Sequence, residues 1–258
     1  MNEDPVAHGK ARAVASAWSP FRHIPFRVLW TATLVSNIGT WMNDVGASWL
    51  MTSLAPSPLM VALVQTATTL PIFLFALPAG ALADIVDRRQ LLIRVQFFLM
   101  TAAAGFVYLV WRGWVTAPLL LMFTFLLGTG AAFIGPAWQA IVPRLVPQAD
   151  LQSAIALNSV GINISRAIGP AIAGLVIVGA GIAAPFALNA LSFLGVIAAL
   201  FWWRPPPAMP STLPAERLWG ATVAGLRYAR SSRPLKQTLV RATAFFLFAS
   251  AYWALLPL

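Results

Sequence analysis

Two charged residues lie inside otherwise apolar stretches. Asp44 belongs to VLWTATLVSNIGTWMNDVGASWL, where Thr33, Ser36, Asn37, Thr40, Asp44, Ala47 and Ser48 recur at spacings of three and four. That spacing is one face of an α-helix. Arg166 interrupts a second apolar stretch, NSVGINISRAIGPAIAG. A carboxylate or guanidinium in such surroundings can move a proton, attract an opposite charge or pair with its counterpart. Ionisable groups within apolar spans mark substrate and ion pathways. Asp44 lies about 24 Å along a helix starting at Val28, and Arg166 about 22 Å along one starting at Leu151, at 1.5 Å per residue. Helices entering from one side would bring the two to similar depth. The expectation is that they face each other or share a cavity, since pairing offsets the cost of burying either alone. Asn37, Asn158 and Gln139 are candidate hydrogen-bonding groups, and Trp41, Trp138 and Phe133 candidate apolar contacts.

The same residues argue against other chemistry. There is no cysteine, and His8 and His23 both precede the first apolar run. Neither a nucleophile–base pair nor a metal cluster is visible, so no enzyme activity, metal or cofactor is expected.

The elements that position these residues follow from composition. Of 258 residues, 59% are hydrophobic and 9% charged, against about 25% charged in soluble domains. Such a chain faces lipid. A helical span needs about 20 apolar residues, and six runs qualify: 28–54, 59–83, 91–111, 118–142, 151–180 and 185–203. A seventh begins near Leu239 and is still apolar at Leu258. The runs are too long and too uniformly apolar for barrel strands. Most joints are so short that consecutive helices are expected to be antiparallel neighbours. The fold class is therefore all-α and polytopic. Residues 1–27 form an N-terminal arm, 28–203 a six-span bundle, 204–237 a linker and 238–258 an incomplete seventh span. Half a cavity needs an opposing wall, so a missing C-terminal half or a second chain is the expected partner, alongside the lipid bilayer.

Charge sets the orientation. All but two of the 17 Lys and Arg fall on one side, in the N-terminal arm and alternate joints or the starts of the spans after them. Arg112 is on the other side and Arg166 within a span. Basic residues stay cytoplasmic, so the N-terminus is expected in the cytoplasm. This layout also argues against nucleic acid as the partner of a chain with net charge +10. Trp30, Trp49, Trp111, Trp114, Trp202 and Trp203 fall near span ends, where amphipathic rings suit the headgroup level. The long sixth joint begins RPPPAMP, and residues 214–229 read as an amphipathic helix lying on the membrane surface.

One joint is unusually charged. PAGALADIVDRR, residues 78–89, packs two Asp and two Arg into six residues between the second and third runs. The positive-inside rule accounts for Arg88 and Arg89, but not for Gly80, Asp84 and Asp87. This stretch resembles the G-x-L-a-D-r-x-G-r-k-x-l motif of the major facilitator superfamily, with Gly80, Leu82, Ala83, Asp84, Arg88, Arg89 and Leu91 in register. Ile85 replaces the first basic position, and Asp87 the second glycine. The resemblance implies that Gly80 allows close helix approach, while Asp84 and Arg88 form a cytoplasmic latch against a second bundle. The fifth run resembles the superfamily's exporter pattern G-P-x-x-G-G, with Gly169, Pro170, Ala173 and Gly174. Many proton-coupled members carry an arginine in the fourth span; Thr124 stands in its place here.

The chain from about residue 20 onward is similar to the enterobactin-exporter-like and macrolide-efflux branch of that superfamily. The resemblance implies a six-helix major-facilitator bundle in a bacterial-type inner membrane. It also implies export of a drug- or siderophore-like small molecule by alternating access, coupled to protons as an antiporter. A nutrient importer on the same fold and a non-transporting half-length scaffold are the alternatives.

Overall fold

A computed structural model describes residues 16–205, 220, 227 and 231–255. After a 3-10 turn at Ser19–Arg22 come six long helices: α1 (Ile24–Leu54), α2 (Pro58–Ile85), α3 (Arg88–Trp111), α4 (Ala117–Ile141), α5 (Leu151–Ala180) and α6 (Ala183–Trp202). A further helix, α7, covers Arg233–Leu255 and so starts before the apolar run that suggested it. Apart from Gly220 and Arg227, both helical, the amphipathic helix expected over 214–229 lies outside the described residues.

Local chemistry explains where the helices start and stop. Proline occupies the first or second position of α1, α2 and α4, where its missing N–H costs nothing. Asp87 caps α3 by accepting from the Gln90 amide at 2.8 Å. Gly113 and Gly181, at φ of 69° and 84°, supply the left-handed residue that turns the chain after α3 and α5.

Helices α2 to α6 are each long and apolar enough to cross a membrane. Helix α1 has 31 residues and carries the polar series on its inner face. Two apolar clusters establish that the helices alternate in direction. One joins Phe26 at the start of α1 to Ala83, Leu91, Ile141, Ala154 and Leu200, at alternating helix ends. The other joins Met51, Val64, Phe106, Leu120 and Phe186 at the opposite ends.

Antiparallel order holds, but among consecutive helices only α3 and α4 pack extensively. The extensive packing runs α2–α4–α3–α6–α1–α5, and α1 touches α2 only slightly. The expectation that consecutive helices are neighbours is thereby corrected. Short joints constrain only helix ends; small residues decide which lengths pack. On α5, the buried positions are Ala154, Leu157, Gly161, Ser165, Gly169 and Ala173, one stripe that lies against α1. The Trp30 indole donates to the Leu157 carbonyl at 3.0 Å, fastening the two helices. On the far flank, Gly128 of α4 sits where an added Cβ would be 2.7 Å from the Thr68 carbonyl and 3.2 Å from that of Ala67. Pro71 denies Ala67 its usual helix donor, so that carbonyl is open to the approach of α4.

Two tryptophans depart from the headgroup expectation. Trp30 is this interhelix anchor, and Trp203 is buried in the cluster with Leu200. Trp49, Trp111, Trp114 and Trp202 are exposed, as interfacial rings must be.

Candidate functional site: a polar cavity between apolar plugs

Between the two end clusters lies a cavity of about 330 Å³. Helix α1 contributes Thr33, Ser36, Asn37, Thr40, Asn43 and Asp44, the polar series read from the sequence with Asn43 added. Ala47 instead joins the apolar cluster beyond the cavity, and Ser48 donates to the Asp44 carbonyl within its own helix. Gln139 on α4 and Asn158 on α5 complete the expected hydrogen-bonding set. Trp138 also lines the cavity, whereas Phe133 pairs with Phe75 on α2 at 5.9 Å.

The wall is graded. Thr40 and Gln139 are exposed, Asn37, Asp44 and Asn158 half-buried, and Ser36, Asn43, Gln96, Thr124 and Asn189 buried. The last three come from α3, α4 and α6 and were not singled out as binding groups. Their signal in the sequence was a lone polar residue in an apolar span. Thr124 occupies the cavity wall at the position where the resemblance notes a missing arginine.

The expected partnership of Asp44 with Arg166 is not formed. Asp44 lines the cavity and Arg166 does not. The Arg166 guanidinium lies over the Trp41 ring, 5.2 Å from its centre. Trp41, one helical turn before Asp44, also packs on Gly169, where an added Cβ would be 2.5 Å from the Trp41 Cβ. A cation–π contact of this kind stabilises by about 0.5–2 kcal/mol. Similar depth did not ensure pairing, because side-chain direction rather than axial position selects the neighbour.

The charged joint at 84–89 is resolved into three separate jobs. Asp84 and Arg88 form a long ion contact of 4.0 Å, with the Asp84 side chain 79% exposed. Such a pair contributes about 0–1 kcal/mol by itself. Asp87 is the α3 cap described above. Arg89 turns inward and donates to the Leu200 carbonyl at 2.7 Å and the Phe201 carbonyl at 3.1 Å. It therefore satisfies carbonyls left open at the end of α6. Gly80 has open space around its Cα, with nothing within 4 Å of an added Cβ. Close approach at Gly80 is thus not made inside this bundle. Arg89→Met is expected to destabilise the protein by about 1–3 kcal/mol, the scale of losing charged hydrogen bonds. Arg89→Lys should restore it only partly, since an ammonium lacks the planar fork. Thermal unfolding of the three purified proteins in detergent measures this; equal melting temperatures would contradict it.

A second anchor ties the arm to the joint before α5. Asp150 accepts from the Ser19 hydroxyl at 2.6 Å and lies 2.8 Å from His23 Nε2. It holds the start of α1 beside the start of α5.

Six alternating apolar helices around a central polar cavity define a bundle of a membrane transport protein. A family profile described as transmembrane secretion effector matches residues 15–258, and the chain belongs to that family of major facilitator superfamily transporters. It is 30% identical over 143 residues to a staphyloferrin A transporter of Staphylococcus aureus, covering 54% of this chain and 36% of that protein. It is 26% identical over 179 residues to macrolide efflux protein A of Streptococcus pyogenes, covering 69% and 42%. It is 27% identical over 241 residues to an enterobactin exporter of Shigella boydii, covering 91% and 56%. The chain thus spans between about a third and just over half of these relatives' lengths.

Proposed function

We propose that this bundle forms one wall of an exporter of drug- or siderophore-like small molecules, working by alternating access in a bacterial-type inner membrane. The observation that carries the reading is the Asp44 carboxylate on the wall of a central cavity lined by apolar helices. A buried carboxylate in a span is costly unless it has a task. Asp44 either accepts a proton in exchange for substrate or attracts a cationic substrate; Asn37, Thr40, Gln139 and Asn158 orient what it holds. Trp41 and Arg166 stand beside that site, and Arg166 has its exposed guanidinium turned to a face that a second bundle covers. That bundle, whether a further part of a longer protein or a second chain, supplies the opposing wall, as in transporters whose sites lie between two halves near the midplane. Asp84 and Arg88 latch the cytoplasmic side against it, consistent with their weak contact to each other.

Siderophore transport by two of the relatives and macrolide efflux by a third support export of molecules of this size. The test is transport in everted membrane vesicles containing the full-length protein. An imposed proton gradient should drive a fluorescent cationic drug into the vesicles, and nigericin should abolish the uptake. Uptake only in right-side-out vesicles would establish an importer instead. No gradient-driven uptake in either orientation would refute proton-coupled transport.

A further inference from the structure

Four buried side-chain atoms among the described residues have no hydrogen-bond partner: Thr33 Oγ1, Gln96 Oε1, Trp138 Nε1 and Asn189 Oδ1. They come from four different helices, yet all four residues line the same cavity. Gln96 is 5% exposed, Asn189 1% and Trp138 9%. A buried polar group without a partner is destabilising, and native proteins keep few of them. Four on the walls of one space leave bonds that water or a bound molecule supplies.

The geometry points to a deep, uncharged subsite at the floor of the cavity that binds a hydroxyl or amide group of the transported molecule. This rests on the transporter reading and adds the chemistry of the substrate to it. Trp138 offers a donor only; Thr33, Gln96 and Asn189 carry groups that both donate and accept. Among the described residues no lysine or arginine lines the cavity, so an anion finds no countercharge on this wall. A cation is drawn to Asp44, which lies eleven residues beyond Thr33 and five beyond Gly39 on α1, about 16 Å and about 8 Å along the axis. This wall therefore favours a molecule with a cationic end and a neutral, hydrogen-bonding end. Gly39 makes room for this floor: an added Cβ there would be 3.1 Å from Asn189 Oδ1.

Two matched probes test this on the purified full-length protein: a dansyl–trimethylammonium carrying a short polyol tail, and its counterpart with an alkyl tail of equal length. Binding is read from tryptophan-to-dansyl energy transfer. Gln96→Met and Asn189→Leu keep the side-chain volume and remove the polar atoms. Each should weaken the polyol probe about 3- to 10-fold, the worth of one hydrogen bond, and leave the alkyl probe unchanged. The melting temperature without probe should hold or rise, because an unpartnered polar atom has been removed. Equal weakening of both probes together with a lowered melting temperature would mean that these residues only pack the core, and would overturn the subsite. Unchanged binding of both probes in both variants would also overturn it while leaving the transporter reading intact. Wild-type protein that binds neither probe would overturn both readings.

Discussion

Asp44→Asn is expected to reduce proton-driven export by about 30-fold or more. The scale is that of losing a hydrogen bond to a charged group, about 1.5–3 kcal/mol, at 1.4 kcal/mol per tenfold. Asparagine keeps the shape and one acceptor oxygen but cannot hold a proton or a negative charge. Neighbouring Asn37, Asn43 and Thr40 line the same cavity, so the site should remain polar and the fold intact. The two roles of the carboxylate separate experimentally. If Asp44 carries the proton, the variant still binds substrate and still equilibrates it down its own gradient, but no longer accumulates it. If Asp44 recognises a cation, binding itself is lost and a neutral analogue is unaffected. Asp44→Glu should recover part of either activity. Full proton-driven export by Asp44→Asn would remove Asp44 from the mechanism.

The second large effect is on stability, and it separates two glycines that one motif treats alike. Gly169→Val is expected to destabilise the bundle by about 3 kcal/mol, at the upper end of overpacking costs. Its new Cβ would meet the Trp41 Cβ at 2.5 Å and the Ile38 carbonyl at 3.4 Å. A Cβ cannot rotate away, so α1 and α5 must part. That separation would also disturb the contact of Arg166 with Trp41 and the cavity edge at Asn158. Gly174→Val, five residues on, should be neutral or slightly stabilising in this chain, because nothing lies within 4 Å of its added Cβ and valine is a better helix former than glycine. Urea or thermal unfolding of both variants in the same detergent measures the difference. Equal stabilities would mean that α5 does not pack on α1 as described.

Much of the fold was legible because the bilayer imposes a simple rule. Lipid satisfies no backbone polar group, so each apolar run long enough to span must be a helix, and the six runs correspond to α1–α6. The cavity face of α1 was legible for a related reason. Thr33, Ser36, Asn37, Thr40 and Asp44 cannot all face lipid, and their spacing puts them on one side. The other half of the cavity was not legible. Gln96, Thr124 and Asn189 are single polar residues in three different helices, with no periodicity to join them. Only the packing order α2–α4–α3–α6–α1–α5 brings them to one space, and no local rule of sequence specifies that order.

The charged joint teaches the same distinction at the scale of single side chains. Its motif could be recognised from letters and spacing, and Asp84 near the end of α2 does contact Arg88 at the start of α3. Asp87 caps α3 locally, whereas the reach of Arg89 to carbonyls more than a hundred residues away depends on where α6 ends. Axial depth likewise suggested that Asp44 and Arg166 would meet, but the Arg166 guanidinium lies over the Trp41 ring instead. By itself the sequence determined the class, the spans, their alternation and one polar wall, because hydrophobicity and helical period act locally. Tertiary structure alone decided which side chains share the cavity and which charges pair, because those depend on the directions of side chains from helices distant in sequence.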